Sequence, residues 1–295
     1  MSKTLPRIGV MAPSSYVERK DIEKSKALLE AKGYSVFIHP QSFERHHQSA
    51  GNNLQKALAF QGLWMRPDID VIWAAGGGNR VLHLLESINF EKLKDKPKTV
   101  VGFSDVTALL NATYAKTGIA GLHGQVFKNL HKMPEDQLDF TLKLLAGGKA
   151  EFPLTGATAF REGKAEGVLV GGNISVFQYL PGTLGEDDSW LDGAILFLED
   201  CDEEWSRLDR MLLHYKRSLV FAKISGLVMG QLTSMKDTGR PYGFTLEDML
   251  AEHLEGRDIP VILNAPFGHG KDLFALPVGR KAKLSVGKKN SLKLV

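Results

Sequence analysis

The stretch V-V-G-F-S-D-V-T, Val100 to Thr107, decides how this chain is read. Val100 and Val101 end an extended segment, Gly102 lets the backbone turn, and periodic apolar residues then start a helix near Asp105. A strand that runs directly into a helix is the repeating step of a parallel sheet. Ser104 falls at the corner, where the N–H groups of the new helix point toward anything bound above it. Two readings stay open on these eight residues: a serine that caps the helix, or a nucleophile held off the sheet. The match to the hydrolase elbow G-x-S-x-G is partial, because Val106 stands where the last glycine would be.

The segments before this corner repeat its pattern. Arg7 to Ala12 is a short apolar run closed by Pro13-Ser14-Ser15, Ile22, Lys26 and Leu29 follow at helical spacing until Gly33, and Ser35 to His39 is the next strand. Ser14 and Ser15 either cap a helix or turn, the plainer reading, or line a ligand site at the carboxyl edge. Asn53 to Trp64 is a helix. Asp70 to Ala74 is a strand that runs straight into Gly76-Gly77-Gly78-Asn79-Arg80. That loop is no dinucleotide fingerprint, since Val81 occupies the third glycine position, and it lacks the Lys-Ser/Thr of a phosphate loop. It is either a tight turn or a supplier of N–H donors to an oxyanion.

Beyond Ser104, Val106, Leu109, Leu110 and Thr113 carry the helix to Gly118. Ile119 to Val126 is a strand, and Leu138, Leu142 and Leu145 form a helix closed by Gly147-Gly148. Five strand–helix alternations with right-handed crossovers predict an α/β domain over residues 1–148. It is a doubly wound parallel sheet with Ser104 and the glycine loop on one edge. Helical pattern lapses over 149–165, which reads as a linker, and 166–295 form a second unit. In it, Gly193 to Leu198 is a buried strand ending on Glu199-Asp200, and Ile259 to Leu263 is a strand leading into the loop Asn264 to Gly270. The tail folds as a closing hairpin.

Composition excludes several classes. With 43% apolar and 24% charged residues the chain is neither disordered nor fibrous, and a net charge of +3 gives no basic field for nucleic acid. No stretch approaches the ~18 apolar residues that span a bilayer, and the amino-terminal residues lack a signal-peptide pattern. The single cysteine, Cys201, fits a reducing compartment. The expectation is a cytoplasmic protein with no membrane partner.

A serine nucleophile needs a base and an orienting carboxylate, in any chain order. His269 lies between two glycines at a strand end, where its ring is accessible; the alternative is an ordinary loop histidine. Glu199 should sit where sheet gives way to loop, with Asp200 and Glu203 as rivals on the same turn, and spacing does not choose among them. Cys201 has acids at 200, 202 and 203 that raise its pKa, which argues against thiol chemistry. There is no H-E-x-x-H or C-x-x-C, and neither a metal nor a cofactor is expected.

Three blocks, G-F-S-D-V-T (102–107), F-L-E-D-C-D-E-E-W-S-R-L-D-R-M-L (197–212) and N-A-P-F-G-H-G-K-D-L-F-A-L-P-V-G (264–279), resemble the LD-carboxypeptidases of serine peptidase family S66. The G-G-N-I-S block, the P-G-T at 181–183 and the opening V-M-A-P-S-S fit the same family, in the right order over nearly the whole chain. The resemblance implies a nucleophile at Ser104, an orienting carboxylate at Glu199 and a base at His269, with backbone N–H groups of Gly77 and Asp105 as the oxyanion hole. It also implies a class I glutamine amidotransferase-like N-terminal domain, a smaller β-rich C-terminal domain, a small peptide as substrate and a homodimer. Many members read R-G-G-Y-G where this chain has Ala75-Gly76-Gly77-Gly78-Asn79-Arg80. Substrate choice is therefore open between murein tetrapeptide, from which the terminal D-alanine is released, and peptide-nucleotide antibiotics such as microcin C. A protein that binds such ligands without catalysis is the alternative from another class.

Overall fold

The computed structural model describes residues 5–185 and 187–295. The chain divides into two compact units: one runs to Gly148 and takes in Ala275–Gly279, and the other comprises Lys149–Phe274 with Arg280–Val295.

In the first unit, strands β1 (Ile8–Met11), β2 (Val36–Ile38), β3 (Val71–Ala74), β4 (Thr99–Gly102) and β5 (Gly121–His123) form a parallel sheet in the order β5-β4-β3-β1-β2. Every residue of β1, β3 and β5 is buried, as expected of strands covered on both faces by helices. The helices Arg19–Ala31, Asn53–Met65, Thr107–Thr117 and Glu135–Leu145 connect or follow these strands, so the doubly wound reading is what the unit adopts. A sixth strand from far along the chain, Leu276–Val278, adds antiparallel to β5. Its sequence, L-P-V, gives no local sign of that destination, because pairing across this separation is a tertiary choice.

The second unit holds an eight-stranded sheet. Its strands are β6 (Ala150–Phe152), β7 (Thr158–Arg161), β8 (Gly163–Asn173), β9 (Ile195–Cys201), β10 (Gly226–Thr233), β11 (Val261–Leu263), then, after Leu276–Val278 as β12, β13 (Lys281–Val286) and β14 (Ser291–Leu294). The order is β6-β14-β13-β8-β9-β10-β11-β7, with β8 to β11 parallel and the flanking strands antiparallel. Residues 149–165 are therefore no linker. They contribute both edge strands of this sheet, β6 and β7, and their polar, Pro- and Gly-containing composition is that of edges rather than of disorder. The tail pairs β13 with β14 in the antiparallel hairpin expected from its alternation. No helix among the described residues is long and apolar enough to cross a membrane.

Candidate active site

Ser104 follows β4 and Phe103, opens a short 3-10 turn (Ser104–Val106) and precedes the helix Thr107–Thr117. Its φ is +62°, in the left-handed region that costs a non-glycine residue about 1–2 kcal/mol. The corner is tight: a Cβ on Gly102 would lie 2.8 Å from Val106 Cγ1 and 3.0 Å from Ala74 Cβ. Bare backbone also flanks the serine on the other side, for a Cβ on Gly77 would lie 3.3 Å from Ser104 Cβ and 3.5 Å from its Oγ. The glycine loop is held there by the Ser15 N–H, which donates to Gly77 O at 3.4 Å, and by Gly78 (φ +131°), where any side chain would collide with Ser15.

The Asp105 side chain turns inward and is 5% exposed. Its Oδ2 accepts both the Ser14 hydroxyl at 2.6 Å and the Val81 N–H at 3.1 Å. Burial pushes its pKa up, against those two hydrogen bonds and the Lys56 charge. Lys56 is itself fully buried; its ammonium donates to Ser49 Oγ at 3.1 Å, and Ser49 Oγ donates to Ser14 O at 3.3 Å. Burial lowers the Lys56 pKa, with the Asp105 charge opposing. The network ties the serine corner, the first loop and the residue just after the glycine loop to one another. It assigns Ser14 to Asp105 rather than to a cap, since the first helix starts at Arg19 and its N-cap position, Glu18, makes no side-chain capping bond. Sequence carried one unread signal: Lys56 lies four residues before Phe60 on the buried stripe of its helix, where a cation needs partners.

In the second unit, His269 Nδ1 lies 2.7 Å from Glu199 Oε2. Strand β9 continues through Glu199 to Cys201, so Glu199 is not at the sheet's end as expected but inside it, and it is fully buried. Pleating separates the rivals: adjacent strand residues face opposite sides. Glu199 faces the His269 loop, whereas Asp200 accepts from Asn173 Nδ2 at 2.9 Å, Ser175 N at 2.8 Å and Cys201 N at 2.8 Å. Glu203 pairs with Arg207 at 3.0 Å. The loop can pass so close to Glu199 because residue 268 is glycine: its φ is +114°, and a Cβ would lie 2.8 Å from Glu199 Oε2.

Burial lowers the His269 pKa, but the Glu199 hydrogen bond and the charges of Glu199, Asp200 and Asp202 outweigh it, and the net shift is upward. Burial, with Glu199 and three neighbouring acids, pushes the Cys201 thiol to about 11 and keeps it protonated. No cluster of His, Cys, Asp and Glu among the described residues is arranged to hold a metal.

Models of the LD-carboxypeptidase N-terminal and C-terminal domains, from peptidase family S66, match residues 8–124 and 166–284. The chain is 33% identical over 282 residues to a Synechocystis sp. protein named for carboxypeptidase activity, covering 94% of this chain and 91% of that one. It is 26% identical to the microcin C7 self-immunity protein MccF of Escherichia coli, over 95% and 89% of the two chains. The crystal structure of muramoyltetrapeptide carboxypeptidase from Oxalobacter formigenes superposes with a TM-score of 0.86 at 28% identity, over 97% of this chain and 98% of that one.

Proposed function

Because the chain belongs to the LD-carboxypeptidase family, peptidase family S66, and is a serine carboxypeptidase, we propose that it releases D-alanine from murein tetrapeptide by a Ser104-His269-Glu199 triad. The reading rests on one observation above others. A fully buried carboxylate, Glu199, holds the Nδ1 side of a histidine whose sequence neighbours are both glycine. Such a pair fixes the tautomer with Nδ1–H toward the carboxylate and turns Nε2 into the proton acceptor.

In this mechanism Ser104 Oγ attacks the carbonyl of an L-to-D peptide bond near a free carboxyl end while its proton passes to His269 Nε2. Glu199 stabilises the resulting imidazolium. The oxyanion is received by the N–H groups of Gly77 and Asp105, each worth about 2.7–4 kcal/mol by analogy with known holes. His269 then gives its proton to the departing amine, and the acyl-enzyme forms. Water, deprotonated by His269, cleaves the ester and restores Ser104 Oγ–H. Glycine at 77 and a left-handed corner at 104 support this, because they bring backbone donors beside the nucleophile. The setting is the cytoplasm, and the working form a homodimer.

The test offers wild type and Ser104→Ala a murein tripeptide, tetrapeptide, pentapeptide and a microcin-type peptide-nucleotide, with products identified by mass. Release of D-alanine from the tetrapeptide, abolished in Ser104→Ala, is the expected result. Cleavage of the peptide-nucleotide alone would transfer the same chemistry to antibiotic immunity, as the likeness to MccF allows. No cleavage by wild type of any member would favour a binding protein.

A further inference from the structure

The first unit holds a pocket of about 510 Å³ whose lining includes His46, His47, Gln48, Asn52, Asn53 and Arg80. None of the described residues lining it is acidic, and Arg80 forms no ion pair with any described residue. A guanidinium among imidazole and amide donors, with no carboxylate opposite, is arranged for an anion. Ser49, which also lines the pocket, accepts from the buried Lys56 ammonium at 3.1 Å, and the Arg80 charge helps lower the Lys56 pKa while Asp105 opposes it.

Backbone strain marks the same place. Among the described non-glycine residues of the first unit, positive φ occurs at His47 (+55°), Arg80 (+81°) and Ser104 (+62°). Two of these three line the pocket and the third is the proposed nucleophile. Strain of this kind persists only where surrounding contacts impose it, and it concentrates at functional sites. Here the contacts are identifiable. Asp105 fixes the Val81 N–H immediately after Arg80, Asn79 Nδ2 donates to Gln48 Oε1 at 3.4 Å, and Tyr16 N donates to Gln48 O at 3.3 Å.

The pocket is close to the chemistry along the chain. Arg80 follows Gly77 by three residues, which limits their Cα separation to about 11 Å, and Gly77 lies against Ser104. The terminal carboxylate of a peptide losing one residue lies within about one residue's length, ~3.8 Å, of the scissile bond. We infer that this pocket, through Arg80, binds the free C-terminal carboxylate of the peptide substrate and so makes the enzyme a carboxypeptidase rather than an endopeptidase. The inference rests on the proposed serine chemistry and adds what selects its substrate.

The experiment compares kcat/KM for a tetrapeptide ending in free D-alanine with the same peptide ending in D-alanine amide, in wild type, Arg80→Gln, Arg80→Lys and Ser104→Ala. Wild type should prefer the acid by on the order of 10²-fold, the range expected for hydrogen bonds to a charged group. Arg80→Gln should bring the two substrates within about threefold, mainly by raising KM for the acid, and Arg80→Lys should restore part of the preference as a point charge without the fork. A melting temperature of Arg80→Gln equal to that of wild type shows that the fold is intact. Preference for the acid that survives in Arg80→Gln overturns this inference while leaving the serine mechanism standing. Equal cleavage of acid and amide by wild type overturns it also, and activity in Ser104→Ala would instead overturn the mechanism beneath it.

Discussion

The carboxylate of Asp105 accepts the hydroxyl of Ser14 at 2.6 Å, so the residue after the serine corner is bolted to the first loop of the sheet. The same oxygen holds the Val81 N–H, and the segment Gly77 to Val81 is thereby fixed relative to Ser104. The side chain thus positions two backbone N–H groups, its own and that of Gly77.

Replacing Asp105 separates this role from charge. In Asp105→Asn the amide oxygen can take the place of Oδ2 and accept both donors, so kcat should stay within a few-fold of wild type. In Asp105→Ala the Ser14 hydroxyl and the Val81 N–H lose their acceptor, which costs about 1–3 kcal/mol of stability for a buried orphan and loosens the glycine loop. There kcat should fall by tenfold or more with KM little changed. Equal loss in both variants would mean that the negative charge, and not the acceptor geometry, is what matters.

In the proposed mechanism the Glu199–His269 pair sets the acid limb of the rate profile. A neutral His269 is needed as base, and its pKa is raised above the ordinary ~6.5, so kcat/KM should climb with pH through a midpoint above that value. Glu199→Gln removes the largest contributions that raise the pKa and leaves only the charges of Asp200 and Asp202 against burial, which lowers it. The midpoint should move to lower pH while the plateau drops by up to about 10⁴-fold. Stability follows the same sign. A raised folded pKa stabilises fully below the unfolded value and ceases to do so as pH rises through the folded one. The melting-temperature gap between wild type and Glu199→Gln should therefore be wider at pH 5.5 than at pH 8.5.

Gly268→Ala tests the approach of the histidine loop. Its φ of +114° strains any other residue, and the new Cβ would press on Glu199 Oε2 and Cβ. We expect loss of stability together with near-complete loss of activity, whereas Cys201→Ser, at a thiol held protonated, should leave activity at wild-type level.

Much of this was legible because the determinants are local. Strand runs that end on Gly102 and Gly76 announce a parallel sheet with loops at its carboxyl edge, and the turn at Ser104 follows from Gly102 and the helix after it. What was hidden depends on long-range pairing. Choosing Glu199 over Asp200 required knowing that β9 runs on past both, so that pleating turns them apart. The strand Leu276–Val278 joins a sheet begun more than 150 residues earlier, and β6 and β7 look like a linker because edge strands tolerate polar residues. The Ser14–Asp105 bond spans 91 residues, and nothing in either neighbourhood points to the other.

The two glycines Gly62 and Gly77 give the last contrast. Gly62 lies inside the helix Asn53–Met65 with nothing within 4 Å of an added Cβ, so Gly62→Ala should stabilise by roughly 0.5–1 kcal/mol through helix propensity and leave kcat unchanged. Gly77 has no positive φ to forbid alanine, and its Cβ would meet Ser104 Cβ at 3.3 Å. A shift of a few tenths of an ångström would relieve that contact, so the fold should tolerate Gly77→Ala with a melting temperature close to wild type. The same shift moves the N–H at 77 relative to Ser104, and loss of one oxyanion donor costs about 10²–10³ in kcat when complete. A fall in kcat of tenfold or more at constant KM and unchanged melting temperature is expected. A rise in KM alone would mean that the glycine loop makes room for substrate and does not hold the oxyanion.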